Sequence, residues 1–238
     1  MKPVINNFKI TPLSDRSALV SFGNIIDQAI NERVLSLHKA LLQSRFEGFM
    51  ESVPAYASLA IFYDVREIKK HTQTSAFVFV QNYLQQLLQQ SFIINDPVPA
   101  LIKIPVCYDA EFGIDIKQLA EGHQLSISEV IRLHTSVIYR VYMIGFMPGF
   151  AYMGTVVEKL STPRKDQPRL HVPAGSVGIA GSQTGIYPID SPGGWQIIGK
   201  TPLQLFDTNR LSPCLLSAGD SVQFVSIDKT EFTNSDGH

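Results

Sequence analysis

A chain of 238 residues, 45% hydrophobic and 17% charged, can bury a core as one large domain or two modest ones. A net charge of −1, with aromatic and basic residues not interleaved, argues against nucleic acid or an anionic membrane as an electrostatic partner. No run of about 18 apolar residues marks a membrane span, and "MKPVINNFKITPLSD" at the start lacks a signal peptide's apolar stretch, so a cytoplasmic protein is expected.

In chain order, "SALVSFG" (17–23) reads as a short strand ended by glycine. Ile30, Val34, Leu37, His38 and Leu41 then recur at helical spacing and define one face. "FMESVP" and "SLAIFYD" read as two strands. A second helix carries Phe77, Val80, Leu84, Leu87 and Leu88 on one side and a solvated glutamine face on the other. This order suits a two-layer α+β unit of the split βαβ type. "SFIINDPVPA" (91–100), with two prolines, is the expected boundary. Beyond it "LIKIPVCYD" reads as a strand, and "DIKQLAE" and "LSISEVIRLH" as short helices. Ser126 and Glu129 fit a capping box, so the second of these begins near Ile127.

From 145 to 202 lie ten of the sixteen glycines and seven of the fourteen prolines. Short apolar runs such as "SVGIA" and "WQIIG" between turn signals indicate an all-β barrel or sandwich, closed by "SVQFVSI". The tail from Asp228 is polar and is expected to fray. "YMIGFMPGFAYMG" (142–154) is too rich in glycine and proline for a helix and too apolar for an ordinary loop. It is a tight corner in a β-rich core or the lining of a site.

The stretch 170–199 contains one carboxylate, Asp190, and no Lys or Arg, which marks it as core and turns or as an interface. Gly175, Gly178, Gly181 and Gly185 either present backbone N–H groups to an anion or satisfy positive φ in β-turns. No lysine follows them as in a phosphate loop, and "GSQTG" is not a nucleophile elbow. Arg164 and Arg169, each after a proline, suit a carboxylate or phosphate, although surface arginines are common. His134 and His171 are acid–base candidates, against the alternative of packed or helix-capping histidines. Trp195 is a stacking wall or a core residue. Cys107 and Cys214 form no metal-spaced cluster, so no metal site is expected; they read as two buried thiols, with one disulfide the alternative.

Together "VPAYASLAIFYD", "YRVYMIGFMPGFAYMG", "TPRKDQPRLHVPAGSVGIAGSQTGIYPIDSPGGWQIIGKTPLQLFD" and "AGDSVQFV" resemble the allophanate hydrolase subunit 1 family, from about Leu13 to Ile227. That family includes the B-type subunit of the bacterial 5-oxoprolinase and the kinase inhibitor KipI. The resemblance implies an α+β chain with a ferredoxin-like domain over 1–95 and a cyclophilin-like β-barrel over 100–238. It implies a subunit of an ATP-dependent 5-oxoprolinase, a hydrolase acting on a cyclic amide, with companion subunits of the C and A types. The C-type companion is built on a related barrel. ATP would be shared with it or bound by it. The alternative is inhibition of a sporulation histidine kinase, and the third reading is allophanate or urea metabolism of the urea amidolyase type.

Carried onto this sequence, the motifs imply substrate binding by Arg164, Arg169, Gly175, Ser176, Gln183, Thr184 and Tyr187. Phe146, Pro148, Gly149, Phe150, Ser191, Gly193, Gly194 and Trp195 become a site wall or partner interface. The catalytic residues stay open, with His134, His171 and Asp190 as candidates.

Overall fold

The computed structural model describes residues 8–89 and 101–235, so the expected boundary at 91–100 lies outside the described residues. The chain divides into two compact units, Met1–Pro97 and Val98–His238. The architecture is mixed α/β.

The first unit runs β1 (Lys9–Ser14), β2 (Ser17–Ser21), α1 (Gln28–Gln43), β3 (Phe49–Pro54), β4 (Ser58–Tyr63), α2 (Val65–His71) and α3 (Ala76–Gln89). Its antiparallel sheet has the order β1-β2-β4-β3, so β2 and β3, joined through α1, flank β4. Alternation along β4 turns Leu59, Ile61 and Tyr63 into the core. Facing them are Val34, Leu37 and Leu41 of α1 and Val80, Leu84 and Leu87 of α3, the stripes expected from helical spacing. Burial of each aliphatic side chain stabilises by about 1.5–3 kcal/mol. Asp27 starts α1 by accepting the Ile30 amide hydrogen bond at 3.0 Å, and Asp64 starts α2 in the same way through Arg66 at 2.7 Å.

The second unit runs β5 (Leu101–Cys107), α4 (Ile116–Gly122), α5 (Ile127–Thr135), β6 (Ile138–Ile144), β7 (Ala151–Gly154), β8 (Arg169–Val172), β9 (Ser176–Ala180), β10 (Gln183–Ile186), β11 (Ser191–Gly193), β12 (Gln196–Lys200), β13 (Ser221–Ile227) and α6 (Lys229–Ser235). Seven strands close a barrel in the order β10-β7-β6-β13-β5-β12-β9, consistent with a cyclophilin-like barrel, while β8 and β11 form a separate ribbon. The barrel core is aliphatic, with Val106, Val141, Met153, Val177, Ile179 and Ile198 fully enclosed. α5 begins at Ile127 with the expected capping box of Ser126 and Glu129.

Between Asp228 and Ser235 the chain does not fray. Asp228 accepts from the Glu231 amide at 2.8 Å while Glu231 accepts from the Asp228 amide at 3.0 Å, a capping box that starts α6. Phe232 is buried against Phe112, with ring centres 4.5 Å apart, so one aromatic anchor holds an otherwise polar helix. Cys107 and Cys214 are both free thiols, Cys107 buried and Cys214 half-buried.

Candidate functional site

The residues singled out from the sequence separate into three places. His134 enters the barrel core from α5 and is fully buried. Thr184 Oγ1 donates to the Gly178 carbonyl at 3.1 Å, so it accepts from His134 Nε2–H at 3.0 Å. His134 Nδ1 therefore accepts from the Tyr108 hydroxyl at 2.8 Å. Burial lowers the His134 pKa to about 3 and keeps the ring neutral. Its face stacks on Phe224, with centres 4.5 Å apart. This satisfied histidine and Thr184 are packing residues of the interior.

His171 and Asp190 lie together on the surface. Nε2 of His171 is 3.1 Å from Asp190 Oδ2, and the two side chains are 65% and 63% exposed. Asp190 Oδ1 accepts from the Ala174 amide at 2.7 Å. That bond, then His171, lowers the Asp190 pKa. Close by, the Gly175 amide donates to the Tyr187 carbonyl at 2.7 Å and the Ser176 amide to the Pro173 carbonyl at 3.2 Å. The Gly175 and Ser176 amides are thus engaged by backbone, as is the Gly181 amide, which donates to the Thr162 carbonyl at 2.7 Å. Gln183 opens β10, half-buried, opposite Gly154 and Ala180.

The third place is a basic segment laid over an aromatic cluster. Phe150, Tyr187 and Trp195 are buried together with Val172 and Ile197. The Phe150 ring meets Trp195 edge-on at 5.4 Å and Tyr187 at 5.3 Å. A Cβ at Gly193 would lie 2.3 Å from the Tyr187 hydroxyl, so only glycine fits there. Phe146 is 66% exposed at a φ of 69° and rests edge-on against Phe150. Gly149, at φ 82°, turns the chain back beneath Phe206. "GFMPGF" is therefore a corner that inserts one phenylalanine into the cluster and holds another out of it. Burial raises the Tyr187 pKa, opposed by the Trp195 backbone N–H and by Arg164.

Arg164 sits above Trp195 with its guanidinium carbon 5.8 Å from the ring centre. Behind it Asp115 is only 3% exposed at its side chain. Its Oδ1 receives Lys165 Nζ at 2.9 Å and Arg169 Nη2 at 2.5 Å. Its Oδ2 accepts from the Ile197 amide at 2.7 Å, and its own amide donates to the Ile197 carbonyl at 2.8 Å. Asp115 stands at the N-cap of α4 but makes no side-chain cap bond, because both carboxylate oxygens are engaged by this cluster. The Lys165 amide donates to the Gly194 carbonyl at 2.8 Å, which completes the attachment. Among the described residues Arg169 Nη1 is buried without a hydrogen-bond partner. Lys165 and Arg169 are thus spent on Asp115, and Arg164, exposed over Trp195, is the guanidinium of this segment open to an oxyanion.

Residues 8–216 match the family described as carboxyltransferase domain, subdomain C and D. The chain belongs to that family. It is 42% identical over 228 residues to the B-type subunit of 5-oxoprolinase from Bacillus subtilis (strain 168), covering 94% of this chain and 95% of that protein. It is 53% identical over 197 residues to the B-type subunit of 5-oxoprolinase from Escherichia coli O157:H7, covering 83% and 86%. The crystal structure of TTHA0988 matches 90% of this chain at 37% identity with a TM-score of 0.78, and this chain spans 40% of the length of TTHA0988. The resemblance read from the motifs is borne out.

In this member of the carboxyltransferase-domain family, sequence reasoning found Arg164, Arg169, Phe150, Gly193 and Trp195, which the fold brings together. It missed Asp115 and Lys165. An aspartate before "IKQLAE" carries the signal of a helix cap, and nothing local points to a lysine and an arginine fifty and fifty-four residues on. Among the described residues no helix is long and apolar enough to cross a membrane, and no group of three or more His, Cys, Asp or Glu could hold a metal ion.

Proposed function

We propose that this chain is the B-type subunit of an ATP-dependent 5-oxoprolinase, acting in the cytoplasm with companion subunits of the C and A types. The reaction is 5-oxo-L-proline, ATP and water to L-glutamate, ADP and phosphate. The observation that carries this is identity of 42% across 94% of this chain and 95% of a relative named as that part of 5-oxoprolinase. The same reading takes the split β-α-β sheet as ferredoxin-like and the barrel as cyclophilin-like.

A lactam carbonyl is a poor electrophile. When bound, ATP supplies the phosphoryl group that makes its carbon open to attack by water. The residues present fit an anionic ligand, since Arg164 is exposed over Trp195 and the Asp115 cluster beside it brings two further cations. In this reading Arg164 and Arg169 hold the 5-oxoproline carboxylate, whose two oxygens match a guanidinium fork. Asp115 orients Arg169, and Trp195 supports Arg164. His171, steadied by Asp190, is the solvent-accessible group able to give a proton to the ring nitrogen as it leaves. Phe146 and Leu170, 66% and 92% exposed, belong to the face that receives the C-type companion.

The test is a double variant, Arg164→Ala with Arg169→Ala, in the assembled enzyme. Loss of two charged hydrogen-bonding partners is expected to raise the apparent KM for 5-oxoproline by roughly a hundredfold, from about 1.5 kcal/mol each. An unchanged KM would remove both arginines from the substrate site.

A further inference from the structure

A cavity of about 360 Å³ opens beside the end of α4, with Gln118, Leu119 and His123 on one wall, Thr162 and Pro163 on a second and Gln196 on a third. Its size is within the range of small-ligand sites, about 300–1,000 Å³. Gly122 completes the lining. A Cβ built there would meet nothing within 4 Å, and Gly122 has no positive φ to call for glycine. Two residues on, Gln124 follows the C-cap of α4 in the left-handed conformation, at φ 55°, where glycine is the usual residue. Helical side chains lean toward the N-terminus, so one at position 122 would lie over Gln118 and Leu119. The backbone therefore leaves residue 122 free to be larger, and the missing side chain keeps the cavity open.

The wall defines what would fit. None of its residues is Asp, Glu, Lys or Arg, so it offers no counter-charge and suits an uncharged ligand. The Thr162 hydroxyl donates to the Leu160 carbonyl at 3.0 Å, so it accepts from His123 Nε2–H at 2.9 Å. That leaves His123 Nδ1 as an acceptor. Gln196 Nε2 donates to the Pro163 carbonyl at 3.0 Å, which leaves its side-chain carbonyl as a second acceptor. Gln118 brings an NH2 group able to donate to a carbonyl oxygen, and Leu119 and Pro163 bring apolar surface. A ligand that displaces water from the cavity must donate to both acceptors, since an unmatched buried acceptor is costly. A ketone or a carboxylate cannot. A primary carboxamide, with two coplanar N–H groups and one carbonyl oxygen, satisfies all three partners.

We propose that this cavity binds an uncharged primary amide carried on a compact apolar body. Its N–H groups meet His123 Nδ1 and the Gln196 side-chain carbonyl, its carbonyl oxygen meets Gln118, and its apolar body lies against Leu119 and Pro163. The site goes beyond the 5-oxoprolinase reading. It uses neither Arg164 nor ATP, and stands or falls independently of glutamate release.

Calorimetry on the full chain without companions tests this, with benzamide, acetophenone and benzoate as separate probes. One benzamide per chain is expected. Acetophenone, which lacks the N–H groups, and benzoate, which carries only acceptors and a charge, should each bind at least about tenfold more weakly. Gln196→Ala, checked for unchanged thermal unfolding, should weaken benzamide about fivefold and leave acetophenone unaffected. Gly122→Leu suits a helix better than glycine does, so it should unfold at the same temperature or higher and lose benzamide binding altogether. Should that variant fail to fold, the three probes on the native chain still decide. No benzamide binding at millimolar concentration, equal binding of benzamide and acetophenone, or undiminished benzamide binding by a folded Gly122→Leu chain would each overturn the proposal.

Discussion

His134 shows how one residue's surroundings decide its chemistry. Three hydrogen-bonding neighbours in series, Tyr108, Thr184 and the Gly178 carbonyl, leave no acceptor for a second ring proton, and burial lowers its pKa to about 3. The unfolded chain takes up that proton near pH 6.5, the ordinary value, while the folded chain does not. Stability therefore falls as pH drops through the window from about 6.5 to 3, by about 1.4 kcal/mol per unit. His134→Gln keeps a donor for Thr184 and an acceptor for Tyr108 but removes the titration. Between pH 7.5 and 5, urea unfolding should show the native protein losing about 2 kcal/mol more than the variant. Parallel profiles would mean that His134 does not titrate in this way. A histidine at the end of an amphipathic helix reads equally as a site or a core residue, and only the Thr184 and Tyr108 contacts, which are remote in sequence, separate the two.

At the scale of elements, periodicity made α1, α3 and α5 readable because each presents a buried stripe, and the capping box placed the start of α5. The α2 helix was not found: seven residues with one buried side chain, Ile68, carry no period, and its signal is the Asp64 cap. The same poverty of apolar residues hid α6, where Phe232 alone is buried. The join between α4, β12 and the basic segment was hidden for another reason, since Asp115 looks like a cap and serves as a tie. Asp115→Ala removes a partner from two cations and from a buried amide. Destabilisation of about 3 kcal/mol is expected, at the low end for a broken buried pair because Lys165 and Arg169 keep 21% and 25% of their side chains in solvent. Urea unfolding of the variant checks it, and a loss below about 1 kcal/mol would reduce Asp115 to a surface ion pair.

At the scale of the whole molecule, glycine and proline density and short apolar runs indicated a β-barrel or sandwich, but not its strand order. Closure depends on β13 lying parallel to β5, from Ser221 opposite Leu101 to Ile227 opposite Cys107, a pairing with no local signature. The neutral stretch of 170–199 became largely buried strand and aromatic cluster, with Leu170, His171, Ile189 and Asp190 among the residues left outside. Exposed Phe146 and Leu170 beside the basic segment predict association with the C-type companion. Mixing the two at micromolar concentration should move both to one earlier gel-filtration peak, and two unchanged peaks would count against this face as their interface.

The most direct test of the function is glutamate formed from 5-oxoproline and ATP by the A-type and C-type companions, with and without this chain. Glutamate is expected only when the chain is present, accompanied by an equal amount of ADP. Equal release from the mixture lacking a well-folded chain would contradict its place in the enzyme.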